Sequence, residues 1–120
     1  MRIVLLSLLL LGGCSAIPSR YDSNESMLAV NARYAASQIA CGEDTATQSI
    51  EDTKRAVDIF AMYSESKKSR DVSELVAKMK ETTDGLWEKR PGSKTFCELK
   101  KRVLVKQSAD IANAVMRRFK

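Results

Sequence analysis

Few residues in this 120-residue chain can do covalent chemistry. Three are cysteines, Cys14, Cys41 and Cys97, and histidine is absent. Hydrolytic catalysis usually draws on an activated nucleophile, a tuned acid–base pair or a metal. Without histidine the common nucleophile–base sets are missing. Carboxylates do occur in pairs, Glu43 with Asp44 and Glu51 with Asp52. Each pair stands at an expected helix start, where negative charge suits the helix dipole, and that alone accounts for it. Two isolated cysteines lack the clustered spacing of a zinc site. A Gly-rich phosphate loop is also missing, since Gly12-Gly13 closes an apolar run. The expectation is a binding or adaptor module that is not an enzyme and holds no metal and no cofactor.

The environment of Cys14 is the most specific signal. Met1 and Arg2 give a short positive start, and an apolar run follows from Ile3 to Leu11, broken only by Ser7. Small residues close the run, as in a secretory signal. The run is well short of the roughly 20 residues of a membrane-spanning helix. Leu11-Gly12-Gly13-Cys14 resembles the lipobox of bacterial lipoproteins. That resemblance implies cleavage before Cys14, covalent acyl chains such as palmitate on that residue, and a lipid-anchored mature chain. Each buried CH₂ contributes about 0.8 kcal/mol, so several chains hold firmly. Ser15 in place of Asp implies transfer to the outer membrane, on its periplasmic face. An ordinary signal peptide with a spare cysteine is the plainer alternative.

Residues 1–13 are thus expected to be a signal peptide, 14–22 a lipidated tether with Pro18 opposing helix, and 23–120 a single helical domain. A domain this small gains from a staple, and an exported chain can form disulfides. With Cys14 lipidated, Cys41 and Cys97 remain as the one possible pair, the alternative being two buried thiols. Charge is uneven: residues 22–62 hold seven acids and three bases, and residues 98–120 hold two acids and seven bases. Such asymmetry suits an acidic partner or anionic headgroups, or simply solvated helix faces. Nucleic acid is not an expected partner, because few aromatics lie among the bases.

Strand signals are weak and helix signals strong. The first helix is expected from Glu25 to about Cys41, opened by an Asp22–Glu25 capping box and stopped by Gly42. It carries Met27, Val30, Tyr34 and Cys41 on one face and Leu28, Ala32, Ala35 and Ile39 on the adjoining one. Alanines at 29, 32, 35, 36 and 40 permit close helix approach. The second helix is expected from about Ser49 to Ser64, with Thr53, Ala56, Val57, Phe60 and Tyr63 inward and a loop over 65–70. The third follows an Asp71–Glu74 capping box, with Val72, Leu75, Val76, Met79, Thr83 and Leu86 recurring at three- and four-residue intervals. Arg90-Pro91-Gly92 ends it. The fourth starts near Thr95, boxed with Glu98, and buries Leu104, Ser108, Ile111, Ala112, Val115 and Phe119. Short connections predict an all-α, antiparallel four-helix bundle. Pairing Cys41 with Cys97 fits it, because the end of the first helix then lies beside the start of the fourth.

Several features in order give a further resemblance. They are Leu11-Gly12-Gly13-Cys14, Arg33-Tyr34 before Cys41-Gly42, Ala56-Val57 in the second helix, and Phe96-Cys97 opening the last. The layout resembles the pilotin lipoproteins of type II secretion (the PulS/OutS family). Tyr63-Ser64-Glu65-Ser66 departs from it in being more polar. The resemblance implies a carrier that binds the C-terminal segment of a secretin subunit, folded as an amphipathic helix in an apolar groove, and takes it to the outer membrane for channel assembly. Candidate groove residues are Leu28, Ala35, Ile39, Ile59, Met62 and Trp87, and the chain is expected to be monomeric apart from that complex. The alternative function is a structural or regulatory envelope lipoprotein with another partner, such as an exclusion factor or an inhibitor of a wall-degrading enzyme.

Overall fold

The computed structural model describes residues 22–67 and 70–117. The signal segment, Cys14 and the tether as far as residue 21 lie outside the described residues, as does Phe119. The described residues form four helices: α1 (Ser23–Ser37), α2 (Ala46–Lys67), α3 (Arg70–Glu88) and α4 (Lys94–Arg117). No strand occurs among the described residues. α1 packs on α2 and α4, and α3 packs on the same two helices. Each helix thus has two neighbours around one core.

Helix ends depart from the expected bounds for local reasons. Asp22 is the N-cap of α1, as expected, with its carboxylate accepting from the backbone N–H of Asn24. Glu25 is fully buried and paired with Lys67 at 3.5 Å. α1 stops at Ser37, so Cys41 lies in the connection and not in the helix. α2 starts earlier than expected and runs through Lys67, so 65–67 are helical. Lys67 is held by ion pairs to Asp22 and Glu25, which extends the helix past a polar stretch that reads locally as loop. Asp71 stands inside the first turn of α3, not ahead of it. α4 begins at Lys94, and Ser93, not Thr95, caps it by accepting from the N–H of Phe96 at 3.1 Å. Arg90-Pro91-Gly92 ends α3, with Gly92 at positive φ.

The core holds Ile39, Ile50, Val57, Phe60, Val72, Val76, Met79, Leu86, Leu104, Ile111 and Val115. Ala56, Tyr63, Leu75 and Ala112 of the expected stripes are half-buried at its edge. Three buried hydroxyls are satisfied within their own helices: Thr53 donates to Ser49 O, Thr83 to Lys80 O and Ser108 to Val105 O; the buried Ser64 hydroxyl has no hydrogen-bond partner among the described residues. These hydrogen bonds offset the cost of burying Thr53, Thr83 and Ser108. α1 turns Glu25, Ala29, Ala32 and Ala36 inward. Alanines let the backbones come close, so Met27, Val30 and Tyr34 are left outside.

Cys41 and Cys97 form a disulfide with Cα atoms 5.7 Å apart. Gly42, at φ 80°, follows at once, and a Cβ there would meet the Lys94 side chain at 3.0 Å. Glycine is needed because the turn is both left-handed and pressed against the start of α4. Lys101 adds a second tie, its ammonium donating to Ile39 O at 2.9 Å. No helix among the described residues is long and apolar enough to cross a membrane.

Candidate functional site

The outer side of α2 carries apolar side chains that the core does not use. Ile59 is 50% exposed and Met62 71% exposed. Two hollows adjoin there. One, of about 240 Å³, is lined by Leu28 and Asn31 of α1 and by Asp52, Arg55, Ala56 and Ile59 of α2. The other, of about 290 Å³, lies between α2 and α3 and is lined by Arg55, Ile59, Met62, Trp87 and the charged residues Glu51, Lys54 and Asp58. Arg55 and Ile59 border both, so the hollows form one strip across three helices. Each is smaller than a typical small-molecule cleft of about 300–1,000 Å³. Shallow paired hollows suit side chains projecting from another chain.

Four of the six candidate groove residues, Leu28, Ile59, Met62 and Trp87, meet along this strip. Ala35 is half-buried and borders neither hollow. Ile39 is a core residue at 1% exposure, drawn in where the chain leaves α1 for the disulfide, and offers no surface to a partner. Trp87 is half-buried and packed on the core. The Arg90 guanidinium covers its ring at 3.6 Å from the centroid and also donates to Trp87 O at 2.7 Å. That double hold orients the indole at the end of the strip.

Two of the charges lining the second hollow, Lys54 and Asp58, belong to a four-charge cluster that joins α2 to α3. Lys54 pairs with Asp58 at 2.7 Å and Asp84 at 3.2 Å; Lys80 pairs with Asp58 at 3.2 Å and Asp84 at 2.9 Å. Asp58 raises the pKa of Lys54, and Asp84 raises that of Lys80. Burial works to raise the pKa of Asp84, but Lys80 and Lys54 outweigh it and the net direction is down. No spacing rule joins Asp58 to Lys80 or Lys54 to Asp84 before α2 and α3 are packed. A second cluster ties α1 to α2: Tyr63 donates to Asp22, and Lys67 reaches Asp22 at 3.3 Å. Tyr63 lowers the pKa of Asp22, and Asp22 raises that of Tyr63.

These shifts set the pH response. A carboxylate with a lowered folded pKa contributes stability present above its unfolded value, 3.8 here, and lost as pH falls through the folded one. A lysine with a raised pKa contributes stability present below 10.5 and lost as pH rises through its folded value. Denaturant midpoints should therefore hold across the neutral range and fall on both sides of it. The double variant Asp22→Asn, Asp84→Asn should flatten the acid limb; an acid limb unchanged from that of the parent protein would refute these pairs as its cause.

No group of three metal-ligating side chains occurs among the described residues. No known protein family, curated protein or solved structure matches the chain.

Proposed function

We propose that the protein is a lipid-anchored pilotin, which binds the C-terminal segment of a secretin subunit and escorts it to the outer membrane for type II secretion. The observation that carries this reading is the uncovered strip of Leu28, Ile59, Met62 and Trp87, bordered by the charged residues Glu51, Asp52, Lys54, Arg55 and Asp58. A disordered segment docking there folds into an amphipathic helix, and its apolar side fills the two hollows. Ordering the segment opposes the contact energy, so affinity depends on a few anchors and not on area. Met62 and Ile59 are the natural anchors, since they are the most exposed apolar side chains of α2.

In this reading the bundle is antiparallel, up-down-up-down. Three cross-links support the arrangement. Asp22 at the start of α1 meets Tyr63 and Lys67 near the end of α2. Lys54 pairs with Asp84, and Asp58 with Lys80, in reversed order along α2 and α3. Cys41 after α1 is joined to Cys97 in the first turn of α4. The groove then stands on a frame braced at both ends, rigid enough to receive a flexible segment.

The test is titration of the chain with a synthetic secretin C-terminal peptide, followed by circular dichroism. Binding with gain of peptide helix is expected, and Ile59→Asp or Met62→Asp should weaken it at least tenfold while leaving the thermal midpoint nearly unchanged. Absence of binding to every secretin tail from the same cell would discard the reading.

A further inference from the structure

α1 has a second exposed apolar face, on the side away from the core. Met27, Val30 and Tyr34 are 63%, 62% and 66% exposed, at three- and four-residue spacing along one ridge. Among the described residues, α1 has only two charged side chains, Glu25 and Arg33, and Glu25 is buried. The outward surface of α1 therefore carries a single charge, a cation, in a chain that is 29% charged overall. Uncharged Ser23, Asn24, Asn31, Ser37 and Gln38 flank the ridge.

Leu28 and Asn31 turn toward α2, where they line a hollow. At 100° per residue, Val30 and Arg33 fall on the opposite flank, toward α4. The row of α4 that starts at Lys101, whose ammonium is bonded to Ile39 O just past the end of α1, lies on the side toward α1. Helical spacing carries that row through Val105, Ala109 and Ala112 to Met116, which is 54% exposed. Arg102, exposed, stands beside the row. The face between α1 and α4 is thus apolar in the middle and basic at its edge. The acids of α4 are Glu98, exposed at the disulfide end, and Asp110, which is half-buried and paired with Lys106 at 3.3 Å. Asp22, at the start of α1, is taken up by Tyr63 and Lys67 of α2.

We propose that the α1–α4 face lies on the anionic phospholipid surface to which the chain is tethered. The proposal rests on the lipid-anchored reading given above. Seven residues, 15–21, separate Cys14 from Asp22, and the eight steps between the two span at most about 28 Å. A lipid on Cys14 therefore holds α1, the first helix after the anchor, within that distance of the bilayer. Apolar side chains set among arginines and uncharged polar groups are the pattern of a protein face resting at a lipid headgroup layer. Tyr34 suits that layer, with an apolar ring and a polar tip. The strip opens on the α2 side of α1, the flank opposite Val30 and Arg33, so docking by this face leaves it open to the periplasm and membrane contact does not compete with partner capture.

The experiment uses the full chain, purified with its lipid and placed in vesicles of phosphatidylethanolamine and phosphatidylglycerol. A polarity-sensitive dye is attached at Val30→Cys or, as a control on exposed α3, at Glu81→Cys. The dye is expected to shift blue at the first position only, and the shift is expected to fade at high salt while the chain stays on the vesicles. Replacing Arg33 or Arg102 with Ala in a Cys14→Ala chain should lower its partition onto the same vesicles about fivefold per arginine. If the full chain and the Cys14→Ala chain fractionate alike in cells, it is the anchor that fails. If the full chain is anchored but the Val30→Cys dye remains in water, the docking face is overturned. A blue shift that needs no vesicles and grows with protein concentration would place a second copy there and would likewise overturn it.

Discussion

Replacing Cys41 and Cys97 together with alanine is expected to destabilise the domain by about 4 kcal/mol. The bond closes a loop with a sequence separation of 56. Removing a cross-link of that span returns loop entropy to the unfolded chain, about 4 kcal/mol on the chain-entropy model and less where the unfolded state stays compact. Against a total stability of about 5–15 kcal/mol this is a large fraction. The thermal midpoint should drop by about 15 °C or more. The effect has a local part too. Cys41 lies beyond the last turn of α1, and the face that α1 buries is mostly alanine. Little apolar area holds that helix in place, so the covalent tie and the Lys101 contact to Ile39 O matter more for it than for its neighbours. Hydrogen exchange of the double variant should show α1 opening first. A midpoint within a degree or two of the parent, with α1 still protected, would count against the bond as a main support of the fold.

Phe60→Ala is expected to cost about 3–5 kcal/mol, and Met62→Ala, two residues away, less than about 0.5 kcal/mol. Phe60 is 1% exposed and heads the fully buried side chains by volume. Truncating it removes transfer energy and leaves a cavity that the rest of the close-packed core cannot fill without strain. Met62 projects into solvent beside the second hollow, so its removal takes little packing from the native state. Urea titration of both variants checks the contrast. Equal losses would mean that Met62 is buried in the working protein, and the strip on α2 would then be closed. Because Met62 is also an expected anchor for a docking helix, a variant that keeps its stability and loses partner binding separates the site from the fold.

How much of this was legible from residue order differs element by element. α3 was clear because Val72, Val76, Met79, Thr83 and Leu86 repeat at helical spacing with charge between them, and all five are buried. α4 showed the same logic at Leu104, Ser108, Ile111 and Val115. α1 was not readable in this way. It is weakly amphipathic, with small apolar residues on one side and large ones on the other. A rule that sends large apolar residues inward picks Met27, Val30 and Tyr34, and the packed molecule buries Ala29, Ala32 and Ala36 instead. Of the candidate groove residues, Ile59 and Met62 could be found as apolar positions left over beside a complete stripe. Ile39 could not be assigned, because its burial follows from the path the chain takes after Ser37.

Residue order alone determined that the described chain is helical, that breaks fall near Gly42 and at Arg90-Pro91-Gly92, and that Cys41 and Cys97 are the cysteines free to pair once Cys14 is set apart. Those properties depend on backbone propensity, punctuation and composition, which act over a few residues. Tertiary packing decided which face of α1 turns inward, how Lys54, Asp58, Lys80 and Asp84 meet, and that Leu28, Ile59, Met62 and Trp87 share one strip. Each of these joins residues from different helices. Close approach of backbones rewards alanine over methionine at a helix contact, and charges far apart in the chain attract only once packing has brought them within reach.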